Sequence, residues 1–187
     1  MLLRTINLLF YPSNEWKTIE EENRNRKTIY IRYVTPLLCI MTVACTIGAC
    51  LYASRYHQFS LNYIIYRITT LWTTFSAGLF ISAFLVSEIM AGHVKSKNYD
   101  RDFALMAYSS SVVYIVIIII ELSPFNELIV LAFYSCYLYW TGISHLVKAE
   151  GKLQTKYCLM SFIIIALTYS LIYFLFEKIF ASTFGII

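Results

Sequence analysis

FALMAYSSSVVYIVIIIIELSPFNELIVLAFYSCYLYWTGISHLV, residues 103–147, decides the fold. Two apolar runs, 103–121 and 125–147, meet at the short connection ELSPF (121–125), where Pro124 ends one helix and places the next. Each run has the length of about 20 residues that matches a bilayer core, where only a helix satisfies its own backbone. So tight a connection forces the two helices to pack antiparallel. The fold class is therefore all-α, a polytopic membrane protein.

The same signature recurs outward from this pair, at 33–53, 68–91 and 158–180. The expected domain plan is a five-span transmembrane helix bundle over 33–187, preceded by an N-terminal arm over 1–32. Charge supplies the orientation. Lys and Arg number 12 in the arm and in the second and fourth connections, against Arg55, Arg67 and Lys178 on the opposite side. Positive loops resist translocation, so the N-terminus is expected in the cytoplasm and the C-terminus outside.

Composition agrees with this class and excludes others. The chain is 59% hydrophobic and 14% charged, against a quarter charged for an ordinary soluble domain. The net charge of +4 is absorbed by topology. Anionic lipid headgroups are then the expected counter-charge, and no nucleic-acid partner is expected. Five cysteines (Cys39, Cys45, Cys50, Cys136, Cys158) form no C-x-x-C pair and read as buried inert thiols. The opening MLLRTINLLF is interrupted by Arg4 and Asn7 and followed by no small-residue cleavage site, so a cleaved signal peptide is not expected.

The arm divides at Pro12. Residues 2–10 carry enough apolar side chains to lie in the membrane interface but not to cross it. Beyond the proline, Ser13 or Asn14 can cap an amphipathic helix through EWKTIEEENRNRK, lying under the bundle or docking a partner. Its early glutamates and late basic residues complement the helix dipole. Trp16, Ile19 and Glu22 are its candidate interfacial or partner-docking residues. Residues 54–67, rich in Tyr, are expected as a short helix along the outer interface. Small residues at spacings of four (Ala44 and Gly48; Thr74, Gly78 and Ser82) allow close helix approach, inside the monomer or across a homodimer.

Ionisable and polar groups near the cytoplasmic side give a candidate ligand site: Glu88, His93, Asp100, Asp102, Tyr108, Tyr137, Thr141 and His145. A carboxylate beside a histidine at a membrane edge can bind a cation, relay a proton or hold a headgroup. It can equally be a closed network with Lys95, Lys97 and Arg101 that fixes the bundle. Glu121 falls at an outer helix end, where water satisfies it. No nucleophile elbow, phosphate loop or zinc signature is present in the sequence, so no catalytic residue, metal or cofactor is expected.

PSNEWKTIEEE (12–22), YVTPLL (33–38), DRDFALMAYS (100–109), ELSPF and YSCYLYWTGI (134–143) resemble the Ypt-interacting-protein (YIP) domain family, particularly its short bacterial branch of unknown function. The resemblance implies a five-span bundle with a cytoplasmic N-terminus, located in a prokaryotic inner membrane, or in ER or Golgi membrane if the source is eukaryotic. Family members often carry a proline after the tyrosine-serine of the third span, and here the chain reads AYSSSVVY. The usual cause of a kink is therefore missing. The functional expectation is a non-enzymatic protein that organises membrane or binds protein partners. The alternative is a small transporter or lipid- or ion-handling protein using the cytoplasmic polar cluster.

Overall fold

A computed structural model describes residues 2–56, 61–91, 98–123 and 125–184. They form α1 (Leu2–Phe10), α2 (Pro12–Glu22), α3 (Arg26–Ile29), α4 (Thr35–Tyr56), α5 (Leu61–Met90), α6 (Tyr99–Ser109), α7 (Ser111–Leu122), α8 (Tyr134–Gly142) and α9 (Lys152–Phe184). π-helical turns cover Tyr30–Val34 and Ile143–Val147, and a 3-10 helix covers Asn126–Phe133. No strand occurs among the described residues. The molecule is an all-α membrane bundle.

Four helical stretches are long and apolar enough to cross a membrane: Arg26–Leu51, Leu61–Met90, Tyr99–Leu122 and Lys152–Phe176. The stretch expected as a fifth span, 125–147, departs from a single regular helix and is built from a 3-10 piece, α8 and a π turn. Because 3-10 helix rises about 2.0 Å per residue, the first two pieces alone cover roughly 30 Å. Ahead of it, Ser123 is extended (φ −129°, ψ 155°), as a residue before proline prefers. Pro124 itself lies outside the described residues.

Neighbouring helices meet through small side chains and buried rings. α5 packs along α9 and α4 along α7, with Leu37, Met41, Leu79, Val86, Phe103, Tyr108, Tyr114 and Tyr157 closing the core. At Gly48 a Cβ would collide with the backbone carbonyl of Glu121, so only glycine permits this approach of α4 to α7. Gly78 faces the Tyr169 ring, and Ser82 is buried. The small-residue stripes are used inside the monomer. Arg67 on α5 pairs with Glu121, so Glu121 is held by protein as well as lying at a helix end.

Several local expectations are corrected. Of the expected interfacial helix at 54–67, residues 54–56 complete α4 and 61–67 begin α5, since continuing a helix satisfies more backbone than breaking it, while 57–60 lie outside the described residues. The second arm helix starts at Pro12 without a side-chain cap at Tyr11, since proline at the first helical position loses no needed N–H. It stops at Glu22 because Asn23 turns left-handed (φ 39°) and Asn25 caps α3 by accepting from Thr28 N–H. Cys39 and Cys50 are exposed on the bundle's outer surface, while Cys45 and Cys158 are buried; facing lipid costs a thiol little. Between α6 and α7 the helix is interrupted at Ser110 (ψ −8°) without any proline. Ser110 Oγ donates to Met106 O (2.8 Å) and Ser111 Oγ to Tyr108 O (2.6 Å), local bonds that bend helices.

Gly48→Ala should destabilise the bundle by about 1–3 kcal/mol through overpacking. The reading is a lower thermal midpoint in detergent; an unchanged midpoint would mean that α4 and α7 are not in such close contact.

Candidate functional site

α1 and α2 form a hairpin joined at Tyr11 that packs beside α8 rather than beneath the bundle. Its tip is level with Tyr134, whose hydroxyl donates to Leu9 O (2.8 Å). Its open end is level with Lys148, which pairs with Glu20 (2.8 Å). The sequence explains the two faces of α1. Leu3, Ile6 and Phe10 recur at spacings of three and four and are exposed, whereas Thr5 and Leu8 on the opposite side are buried.

One guanidinium ties the hairpin together. Arg4 Nε donates to Glu15 (2.9 Å), Nη2 to Glu22 (2.8 Å) and Nη1 to the Tyr108 hydroxyl (3.2 Å). Asn7 donates to the second Glu15 oxygen (3.1 Å), and Thr5 shares a hydrogen bond with Tyr33 (3.1 Å). Burial opposes the Arg4 charge, yet the bonds to Glu22 and Tyr108 hold its pKa above the ordinary arginine value. The bond from Arg4 lowers the Glu22 pKa against a smaller opposing effect of burial. Trp16 is fully buried, edge-on to Tyr108 at 6.4 Å between ring centres. Gly142 leaves room for it: a Cβ there would lie 2.5 Å from Leu105 and 2.7 Å from the Trp16 ring.

Beside the hairpin lies a cleft of about 570 Å³, lined by Glu20, Glu22, Arg24, Asp100, Arg101, Tyr108 and Lys148 among others. Asp100 accepts the Arg26 backbone N–H (3.2 Å), and the Arg26 guanidinium stacks 4.6 Å from the Tyr99 ring centre. Asp102 is buried behind the cleft, accepting from Arg101 (3.1 Å) and from the Tyr157 hydroxyl (2.8 Å).

Of the eight candidate ligand residues, Asp100 and Tyr108 line this cleft and Asp102 adjoins it. Glu88 is exposed on α5, Tyr137 is exposed and stacks on Tyr134, Thr141 bonds back to the Tyr137 and Leu138 carbonyls, and His145 is half-buried; none of them lines it. His93, Lys95 and Lys97 lie outside the described residues. Among the described residues, no group of three or more His, Cys, Asp or Glu could hold a metal ion. Trp16 and Ile19 are buried against the bundle, and Glu22 joins the Arg4 network.

The sequence reading missed Arg4 and Glu15. Arg4 counted there only as a topogenic charge and an interruption of an apolar run. A lone cation on an otherwise apolar helix must find carboxylates, and that was the available signal.

Trp16→Ala should loosen the hairpin by about 3–5 kcal/mol, the cost of truncating a buried Trp, without unfolding the spans. Faster tryptic cleavage at Lys17, Arg24 or Lys27 with an intact bundle is the expected result. Docking also has a pH dependence. With its pKa lowered in the docked state, Glu22 stabilises docking fully above its ordinary value of 4.5 and loses that contribution as pH falls through the lowered one. Tryptophan emission should shift to the red on acidification below that range, and Glu22→Gln should flatten the transition; an identical titration in the variant would remove Glu22 from the account.

The Yip1 domain family model matches residues 6–177, so it takes in most of α1 and ends within α9. No curated protein and no solved structure matches the chain. With a family match over most of its length, on a bundle of apolar helices, the chain belongs to the Yip1 domain family.

Proposed function

We propose that this multi-pass protein is a non-enzymatic organiser of membrane, or a docking platform for protein partners, working through its N-terminal hairpin. The observation that carries the reading is the Arg4 junction. It makes the hairpin a built part of the domain while leaving Leu3, Ile6 and Phe10 facing outward. Tyr134 stands thirteen residues before Val147, on the order of 20 Å along the span, so the hairpin tip would reach well into one leaflet. Two extra helices in one leaflet and none in the other make the cross-section asymmetric. Such a shape biases lipid packing and curvature. The family is one of membrane trafficking, which suits this role.

The 12 to 3 partition of basic residues supports placing the hairpin on the cytoplasmic side, with 125–147 completing five spans. The alternative reading, lipid or ion handling, draws support from the cleft beside Asp100 and Tyr108. Its mixture of charges, most of them paired, favours a platform over a pathway.

On a cysteine-free background, a cysteine at Asn98 should react with an impermeant maleimide only from the cytoplasmic side, and one at Ser123 only from outside. Reversed labelling would overturn the orientation. A nitroxide at Phe10 should lie within the acyl region of the cytoplasmic leaflet; a fully water-exposed label would remove the hairpin from the membrane and this function with it.

A further inference from the structure

A second groove, of about 450 Å³, separates the hairpin from the start of the first span. Arg4, Arg24 and Arg32 all line it, with Glu15 as the one lining carboxylate. Arg4 is committed to Glu15, Glu22 and Tyr108, and Arg24 grips both oxygens of Glu22 through Nε and Nη2 (3.1 Å each), which leaves its Nη1 uncommitted among the described residues. No ion pair or hydrogen bond engages the Arg32 side chain among the described residues. The groove therefore carries surplus positive charge, presented by guanidinium forks whose geometry matches phosphate oxygens. Its position matters as much as its charge. Arg32 immediately precedes the buried Tyr33 and Val34 that begin the first span's packing, and exposed Leu3 and Ile31 stand nearby as apolar surface. A charged pocket flanked by apolar side chains at a span's end suits a molecule with an anionic head and acyl chains.

We infer that this groove binds the phosphate headgroup of an anionic glycerophospholipid, with Arg24 and Arg32 as the phosphate ligands and the Thr28 side chain beside them. The site rests on the proposed function for one point, the placement of the hairpin at the membrane surface. Arg4 is not counted as a ligand, since its donors are already used within the protein. A bound lipid would bridge the turn that follows α2 and the π turn that leads into α4, adding a lipid-dependent bond beside the Arg4 junction.

The test is native mass spectrometry of the full chain, delipidated and titrated with phosphatidylglycerol or phosphatidylcholine, alongside thermal stability in the same mixtures. The wild type should retain phosphatidylglycerol roughly thirtyfold better, the scale that two basic side chains produce at an anionic surface. Arg24→Gln/Arg32→Gln should abolish that preference. Arg32→Gln alone should weaken it, and because that side chain holds nothing else it leaves the fold intact. Lys17→Gln/Lys152→Gln, which removes the same charge outside the groove, should keep it. Loss of the preference in this control would mean diffuse attraction and overturn the site, as would its survival in the arginine double variant. Inorganic phosphate at matched ionic strength should neither compete nor stabilise; if it does both as well as the lipid, the groove binds a free anion instead. The arginine variants should leave the Phe10 label at its depth, so an absent lipid site and a misplaced hairpin give different results.

Discussion

A guanidinium with little access to water sits where three helices meet, and the arrangement of the arm follows from what it demands. Arg4 must find acceptors for its donors, and it finds Glu15 and Glu22 on α2 and the Tyr108 hydroxyl on α6. Those three bonds tie α1 to α2 and to α6 and set the side of α1 that faces outward. Removing one partner from such a part-buried group leaves its charge less well compensated, a loss of about 1–3 kcal/mol. Trp16 then sets position. Its ring occupies the space that Gly142 leaves on α8, and the neighbouring Tyr108 receives both the ring edge and the Arg4 fork.

The spans obey a different constraint. With no water to accept bonds, irregular backbone has to be satisfied locally, and the chain does this with side-chain hydroxyls. The interruption at Ser110 is covered by serine back-bonds to the preceding turn. The α8 segment shows Thr141 bonding to Tyr137 and Leu138, and Ser144 to the Thr141 carbonyl. Two of three consecutive serines, Ser110 and Ser111, interrupt the helix between α6 and α7 without any proline. A sequence argument that looks only for proline does not see it. The Thr141 and Ser144 hydroxyls flank the change from α to π winding at Gly142–Ile143.

Span positions were legible because length and hydropathy are set by the bilayer and need no tertiary information. Four of the five expected stretches overlap helical stretches long and apolar enough to cross a membrane. The fifth was misjudged in its regularity, since winding depends on packing that hydropathy does not encode. The grouping of Glu88 with His145 illustrates another limit. Residues at one depth lie on a ring around the bundle, and depth alone says nothing of azimuth; Glu88 turns outward on α5 while Asp100 and Tyr108 converge beside the hairpin. The arm was legible in part. Periodicity identified Trp16 and Ile19 as one docking face, but a partner of that face lies more than a hundred residues away in sequence at Gly142.

That separation bears on what the arm is for. The family match begins at Ile6, inside α1, so it takes in the second half of that helix and all of α2, while Leu3, Arg4 and Thr5 precede it. An element held by a charged junction on its inner face and apolar on its outer face has two separate jobs. The inner face secures α1 to Tyr33 and Tyr108, on the first and third spans; the outer face meets whatever surrounds the protein at that depth. Were α1 merely covering the core, its outer face would carry the polar residues of a solvent-facing helix. Leu3, Ile6 and Phe10 stand there instead, which is the pattern of a helix whose surroundings are lipid or an apolar partner.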